Sequence, residues 1–166
     1  MKYIIIGLLV LAGVTSASAA ASSSMVDLIP DDQQDYCLTE AVYFEAGNQP
    51  FIGKMAVAYV VLNRVSSDKY PDDICDVVRQ GPTDKNGNLV PVLHKCQFSY
   101  YCDGKVERPD YQSPAWRDSL LAAKLSRALP DYVTNGATHY HATYVNPFWA
   151  DKLRRTVQLE DHIFYK

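Results

Sequence analysis

The stretch TEAVYFEAG, residues Thr39–Gly47, carries two glutamates five positions apart in a segment that otherwise reads as a buried helix. Acidic residues from Asp31 to Asp35 supply an N-terminal cap, and Gly47-Asn48 followed by Pro50 supplies a stop, which predicts a helix over 33–46. Leu38, Ala41 and Val42 follow the i, i+3, i+4 ladder of an apolar stripe, and the next rung is Glu45. Glu40 is rotated about 140° from Glu45 at 100° per residue and belongs to another face. A carboxylate on an apolar stripe is costly unless it is paired or protonated, and burial raises its pKa toward the range where it can donate a proton near neutral pH. The pattern leaves two readings open for Glu45, an acid catalyst or a structural glutamate bonded to a backbone amide or to Arg64.

Outward from this helix, FIGKMAVAYVVLNRVSS (residues 51–67) is apolar nearly all round from Met55 to Val65, as expected of a helix covered on several sides. Gly53, Ala56 and Ala58 would allow a neighbour to approach closely. A short helix near 72–79 and another over 114–129 are expected, with residues 81–88 as a polar loop. After Gly136 the pattern changes to ATHYHATYV, rich in Thr, Tyr and Val, which predicts a strand with a partner in the closing HIFYK. The expected fold class is α+β: a helix-rich single domain with a small antiparallel β-sheet.

The chain opens with one Lys, an apolar run from Tyr3 to Val14, then small residues with Ala17-Ser18-Ala19 as a cleavage pattern. This reads as a signal peptide over residues 1–20, the run being shorter than the ~20 residues that span a bilayer. A retained anchor is the alternative, and either implies export. Residues 21–34 are expected to be a lead-in and 35–166 the domain. The net charge of −3 becomes −4 once Lys2 leaves with the leader, which argues against a nucleic-acid binder driven by phosphate attraction.

Four cysteines, Cys37, Cys75, Cys96 and Cys102, suggest two disulfides in an exported chain, with three possible pairings. Cys96 and Cys102 bracket QFSYY and would close a small loop, leaving Cys37 to tie the first helix to Cys75; this is the favoured pairing. Zinc binding is disfavoured because no CxxC or HExxH spacing occurs. A thiol nucleophile acting with His139 or His141 would be consumed by oxidation.

The blocks C-L-x-x-x-V-Y-F-E-A (37–46), A-V-A-x-V-V-L-N-R-V (56–65), Y-P-D-D-I-C (70–75), C-Q-F-S-x-x-C-D-G (96–104), G-A-T-H-Y-H (136–141) and D-H-I-F-Y (161–165) occur in an order that resembles the SleB-type cell wall hydrolase family. The resemblance spans nearly the whole mature chain. It implies a lysozyme-like, lytic-transglycosylase-like domain that cuts the β-1,4 bond between N-acetylmuramic acid and N-acetylglucosamine in peptidoglycan, with the catalytic Glu at Glu45. The family's usual E-A-R-G-E-P is here E-A-G-N-Q-P, so Gln49 stands where a second acid is common.

Sugar rings pack on aromatic faces and present hydroxyls and acetamides to polar groups. Gln97, Ser99, Tyr140, Tyr144 and Trp149 supply both kinds of contact, and His141 and His162 are further candidates to orient substrate. Strand alternation puts Tyr140, Ala142 and Tyr144 on one face and His139, His141 and Thr143 on the other, of which one face is expected to look into a cleft. The whole reading is an exported enzyme with no metal or organic cofactor, acting as a monomer on peptidoglycan glycan strands, without nucleic acid and without stable membrane association once the leader is gone. A non-catalytic wall-binding module and a Cys/His peptide-cleaving enzyme are the competing readings.

Overall fold

The computed structural model describes residues 30–166 except 89, 91, 94, 106 and 107. The expected signal peptide, and most of the expected lead-in, therefore lie outside the described residues.

Helix α1 spans Gln33–Ala46, where the sequence pattern puts it. Asp32 caps it by accepting from the Asp35 amide at 2.7 Å, satisfying one of the orphan donors of the first turn. Helix α2, Phe51–Val65, is buried on nearly every side. Gly53 permits the tight α1–α2 corner, since a Cβ there would lie 3.1 Å from that of Gln49. Lys54 is buried and folds back across the corner, donating to the carbonyls of Gly47 at 2.9 Å and Gln49 at 2.5 Å. Its ammonium thereby satisfies carbonyls that the end of α1 leaves open.

Helix α3, Ile74–Arg79, is capped by Asp73, and helix α4, Pro114–Ala128, by Ser113 with Pro at its start. Helices α1, α2 and α4 pack on one another around Leu38, Val42, Val57, Val61 and Ala122, with Trp116 fully buried against the rings of Tyr36, Tyr43 and Tyr111. The cysteines pair as favoured, Cys37 with Cys75 and Cys96 with Cys102, so α3 is tied to α1 and a six-residue step closes on itself.

The sheet has strands β1 (His139–Ala142), β2 (Arg155–Leu159) and β3 (His162–Tyr165), antiparallel throughout in the order β1-β3-β2. The strand β2 was not expected from the sequence. The sheet docks on the helices through Phe164, which is fully buried, with Tyr140 stacked beside it at 5.7 Å. Two side chains at the end of α2 fix the approach to β1: Asn63 donates to the Ala137 carbonyl at 2.9 Å and Arg64 to the Thr138 carbonyl at 2.7 Å. The result is a helix-rich α+β domain. No helix among the described residues is long and apolar enough to cross a membrane.

Candidate active site

The end of α1, the end of α2, the cross-linked segment 96–102 and the edge strand β1 converge on a cleft of about 600 Å³. Glu45 lies in its wall, half-buried, because it occupies the last rung of the α1 stripe where the helical core gives way to open space. Tyr140 donates to Glu45 Oε2 at 2.9 Å, and Oε1 has no hydrogen-bond partner among the described residues. Burial pushes the Glu45 carboxyl above the usual carboxylate range, opposed by the Tyr140 hydrogen bond and by the charge of Arg64. The free oxygen can thus carry a proton while the other is held in place. Glu40, on the other face of α1, borders a separate small cavity with Tyr36, Arg79, Tyr101 and Lys105.

Arg64 was considered in the sequence only as a structural partner of Glu45. It is buried, donates through Nε to Thr138, and lies under Tyr70 and Phe98 with its guanidinium carbon 5.4 Å and 5.5 Å from their ring centres. Its Nη1 is buried without a hydrogen-bond partner. A buried guanidinium with an open donor is costly, and the nearby carboxyl of Glu45 is the group its charge can compensate.

All seven residues expected to bind sugar line this cleft. Gln97 and Ser99 are exposed on the segment closed by Cys96–Cys102, whose ends are further tied by the Cys96 amide donating to Cys102 Sγ at 2.9 Å. Tyr144 is exposed at the rim, and Trp149 is half-buried against His139, His141 and Tyr165. His141 is held at both ring nitrogens: Nδ1 faces the Ala142 carbonyl at 2.9 Å, an acceptor only, so Nδ1 carries a hydrogen, and Nε2 is hydrogen-bonded with the Tyr165 hydroxyl at 2.9 Å. Its ring, rather than its nitrogens, is what it offers a ligand. His162 is buried edge-on to Tyr140, with Nδ1 unpartnered, and burial lowers its pKa, which favours the neutral imidazole.

One expectation is corrected. Residues of both faces of the strand, Tyr140 and Ala142 from one and His139 and His141 from the other, line the cleft. The reason is the sheet order: β1 is an edge strand, so the cleft runs along its open edge rather than over one face. His139, Phe98, Tyr100 and Asp103 are also lining residues that were not singled out as site residues. Gln49, at the position of the family's second acid, is buried at the α1–α2 corner, donates to Asp161 at 3.2 Å, and does not line the cleft. Among the described residues, no group of three or more His, Cys, Asp or Glu side chains is arranged to hold a metal ion.

Comparison with known proteins agrees with this architecture. The catalytic domain of the germination-specific lytic transglycosylase SleB from Bacillus anthracis superposes with a TM-score of 0.60 at 23% identity, over 83% of this chain and 100% of that one. The catalytic domain of the Bacillus cereus SleB protein gives 0.54 at 24% identity, over 84% and 96%. In sequence, the spore cortex-lytic enzyme of Halalkalibacterium halodurans is 40% identical over 47 residues, which is 28% of this chain and 14% of that protein. The match to the spore cortex-lytic enzyme of Bacillus cereus is 42% over 41 residues and 16% of its length. The chain thus spans only about one-seventh of the length of these curated relatives. Residues 48–165 match the family model described as Cell Wall Hydrolase, starting just after Glu45 and running to the end of β3. On that match, which covers well over half of its length, the chain belongs to the Cell Wall Hydrolase family.

Proposed function

We propose that the protein is a peptidoglycan glycosidase in which Glu45 is the single proton-transfer group, cutting the β-1,4 bond between N-acetylmuramic acid and N-acetylglucosamine as a lytic transglycosylase. The observation that carries this reading is the state of Glu45: half-buried, one oxygen fixed by Tyr140, the other free at a cleft lined by aromatic and polar side chains. In the first step Glu45 gives its proton to the glycosidic oxygen as the bond from that oxygen to the muramoyl C1 breaks. In the second, the Glu45 carboxylate takes the proton of the muramoyl 6-hydroxyl while O6 bonds to C1, leaving a 1,6-anhydro end, consuming no water and restoring the acid. Between the two steps the carboxylate is stabilised by Tyr140 and by the charge of Arg64.

The position of Gln49 outside the cleft supports a mechanism without a second acid at that site. Asp103 is the observation that favours hydrolysis instead, since it is a second carboxylate in the lining, ion-paired to Lys105 at 3.1 Å. Product masses separate the two, because a water-derived end is 18 Da heavier than an anhydro end, as hydrolysis adds roughly one water to the product.

The test is Glu45→Gln and Glu40→Gln on purified peptidoglycan, with circular dichroism to confirm folding. Loss of a proton-transfer group should lower the cleavage rate of Glu45→Gln by about 10²–10⁴-fold, while Glu40→Gln keeps most of its activity. A folded Glu45→Gln that cleaves near the parent rate sinks the proposal. A parent that binds sacculi yet releases neither reducing nor anhydro ends makes the protein a wall-binding module.

A further inference from the structure

The connection from β1 to the short 3-10 turn Ala150–Lys152 reads TYVNPFW, residues 143–149. It is anchored at both ends. The Val145 amide bonds to the Ala142 carbonyl at 3.0 Å and the Ala150 amide to the Pro147 carbonyl at 3.0 Å. Trp149 packs on three rings with centroid distances of 5.3 Å, 5.6 Å and 5.5 Å, and Ala150 is buried. Yet Tyr144 is 85% exposed, Phe148 84% and Val145 46%. Two large aromatic side chains held outward on an anchored segment leave apolar surface in water that the fold has not covered.

Their position supplies the ligand. Tyr144 and Trp149 line the cleft, and Phe148, next to Trp149 in the same anchored segment, is exposed outside the cavity. A polymer whose cut bond lies at Glu45 must leave the cleft across its rim. We propose that Tyr144 and Phe148 form an outer binding platform for the glycan strand, in which the Phe148 ring stacks on a sugar beyond the cavity. This rests on the glycosidase reading of the cleft. Sugar C–H faces match an exposed aromatic ring in size and polarity. Lys152, whose ammonium lies 5.4 Å from the Phe148 ring centre, puts beside that ring a cation that complements the carboxylates of a muramoyl stem peptide. A lipid surface is the other chemistry that takes exposed aromatics beside a lysine. The glycan is the favoured occupant because Tyr144 belongs to the lining of the cleft itself, whereas exposed Lys152, Arg154 and Arg155 make lipid the outcome that the vesicle measurement below separates.

The experiment compares Phe148→Ala, Phe148→Tyr and the parent, all as the full chain, on intact sacculi and on a short muramoyl oligosaccharide that the cleft alone accommodates. Co-sedimentation with sacculi is measured alongside cleavage. The expected result for Phe148→Ala is about a tenfold loss of kcat/KM and of binding on sacculi, with the short-substrate rate unchanged and the sacculus rate restored in Phe148→Tyr. Equal rates of variant and parent on both substrates overturn the platform, and so does an equal loss on both. A Phe148→Ala variant that keeps its sacculus rate but no longer sediments with vesicles of phosphatidylglycerol and phosphatidylcholine, where the parent does, reassigns the loop to lipid. If the parent cleaves neither substrate the glycosidase reading fails, and unequal sedimentation of parent and Phe148→Ala with sacculi still decides the platform.

Discussion

Tyr140 and Arg64 both favour the ionised form of Glu45, against the burial that favours the protonated one, and each can be removed separately. Tyr140→Phe deletes the hydrogen bond to Oε2, so the Glu45 pKa rises further and the alkaline limb of the kcat/KM profile moves to higher pH, since the acid must be protonated to act. Arg64→Met moves the same limb in the same direction, with a larger fall in rate because the carboxylate left after proton transfer loses its counter-charge. A pH series of initial rates checks both. The sign for stability is opposite to that of a salt-bridged carboxylate. A folded pKa raised above the unfolded value contributes stability below the unfolded pKa, near 4.5, that is lost as pH rises through the folded pKa. Glu45→Gln should therefore be more stable than the parent at pH 7, a difference that vanishes on acidification below the unfolded value, as thermal melts across pH would register. A period of 3.6 put Glu45 on the stripe of Leu38, Ala41 and Val42 but left acid and structural roles both open, and only the family resemblance pointed to the acid. The partners of Glu45 were less legible: Tyr140 meets it across 95 residues, and Arg64 meets Thr138 across 74, contacts no local pattern encodes. A lone Arg in the apolar run of α2 was the available signal.

The approach from α4 to β1 depends on Asp131. Its Oδ1 accepts from the amides of Val133 and Thr134, and its Oδ2 from Asn63, the Thr134 hydroxyl and the Gly136 amide. Burial opposes the charge, but these bonds outweigh it and hold the Asp131 carboxyl below the usual range. A lowered folded pKa gives stability present above the unfolded value, near 3.8, and lost as pH falls through the folded one. Gly136 has φ +78°, and Asn135 before it φ 57°, the left-handed pair that turns the chain into β1. Asn63→Ala removes the donor shared by Asp131 and the Ala137 carbonyl, and should cost about 1–3 kcal/mol in urea unfolding. Because β1 carries Tyr140, the same variant should lose activity at temperatures where it is still folded. Helices α1 to α4 follow from apolar periodicity and from caps such as Asp32 and Ser113, which act locally. Strand β2 was missed because its register slips between Arg155 and Val157, breaking the alternation by which strands are read, and because its residues are mostly exposed or half-buried.

At the scale of the whole molecule the two cross-links do different work. Cys37–Cys75 spans 38 residues and joins α1 to α3, so it restrains a long loop of the unfolded chain. Replacing both cysteines by Ala should lower stability by about 2–4 kcal/mol, read by denaturant titration, with little change in the proposed cleavage rate of the folded protein. Cys96–Cys102 closes only six residues and restrains less, but Gln97, Phe98, Ser99 and Tyr100 of the cleft wall all lie between its ends. Mild reduction or the Cys96→Ala/Cys102→Ala pair should therefore reduce cleavage several-fold more than it reduces stability. The pairing was favoured from spacing and an even count, and Gln97 and Ser99 were already candidates in the sequence, whereas Phe98 and Tyr100 joined the cleft wall only once segment 96–102 was seen beside Glu45.

That short link also separates the place of manufacture from the place of use. Thiol-rich cytosol keeps such a bond open, and oxidising surroundings close it. If the chain is exported, as its opening sequence leads one to expect, one wall of the groove is secured only after it has left the compartment where it was made. The protein would then carry its own safety catch, released by the redox state of its destination rather than by cleavage of an inhibitory segment.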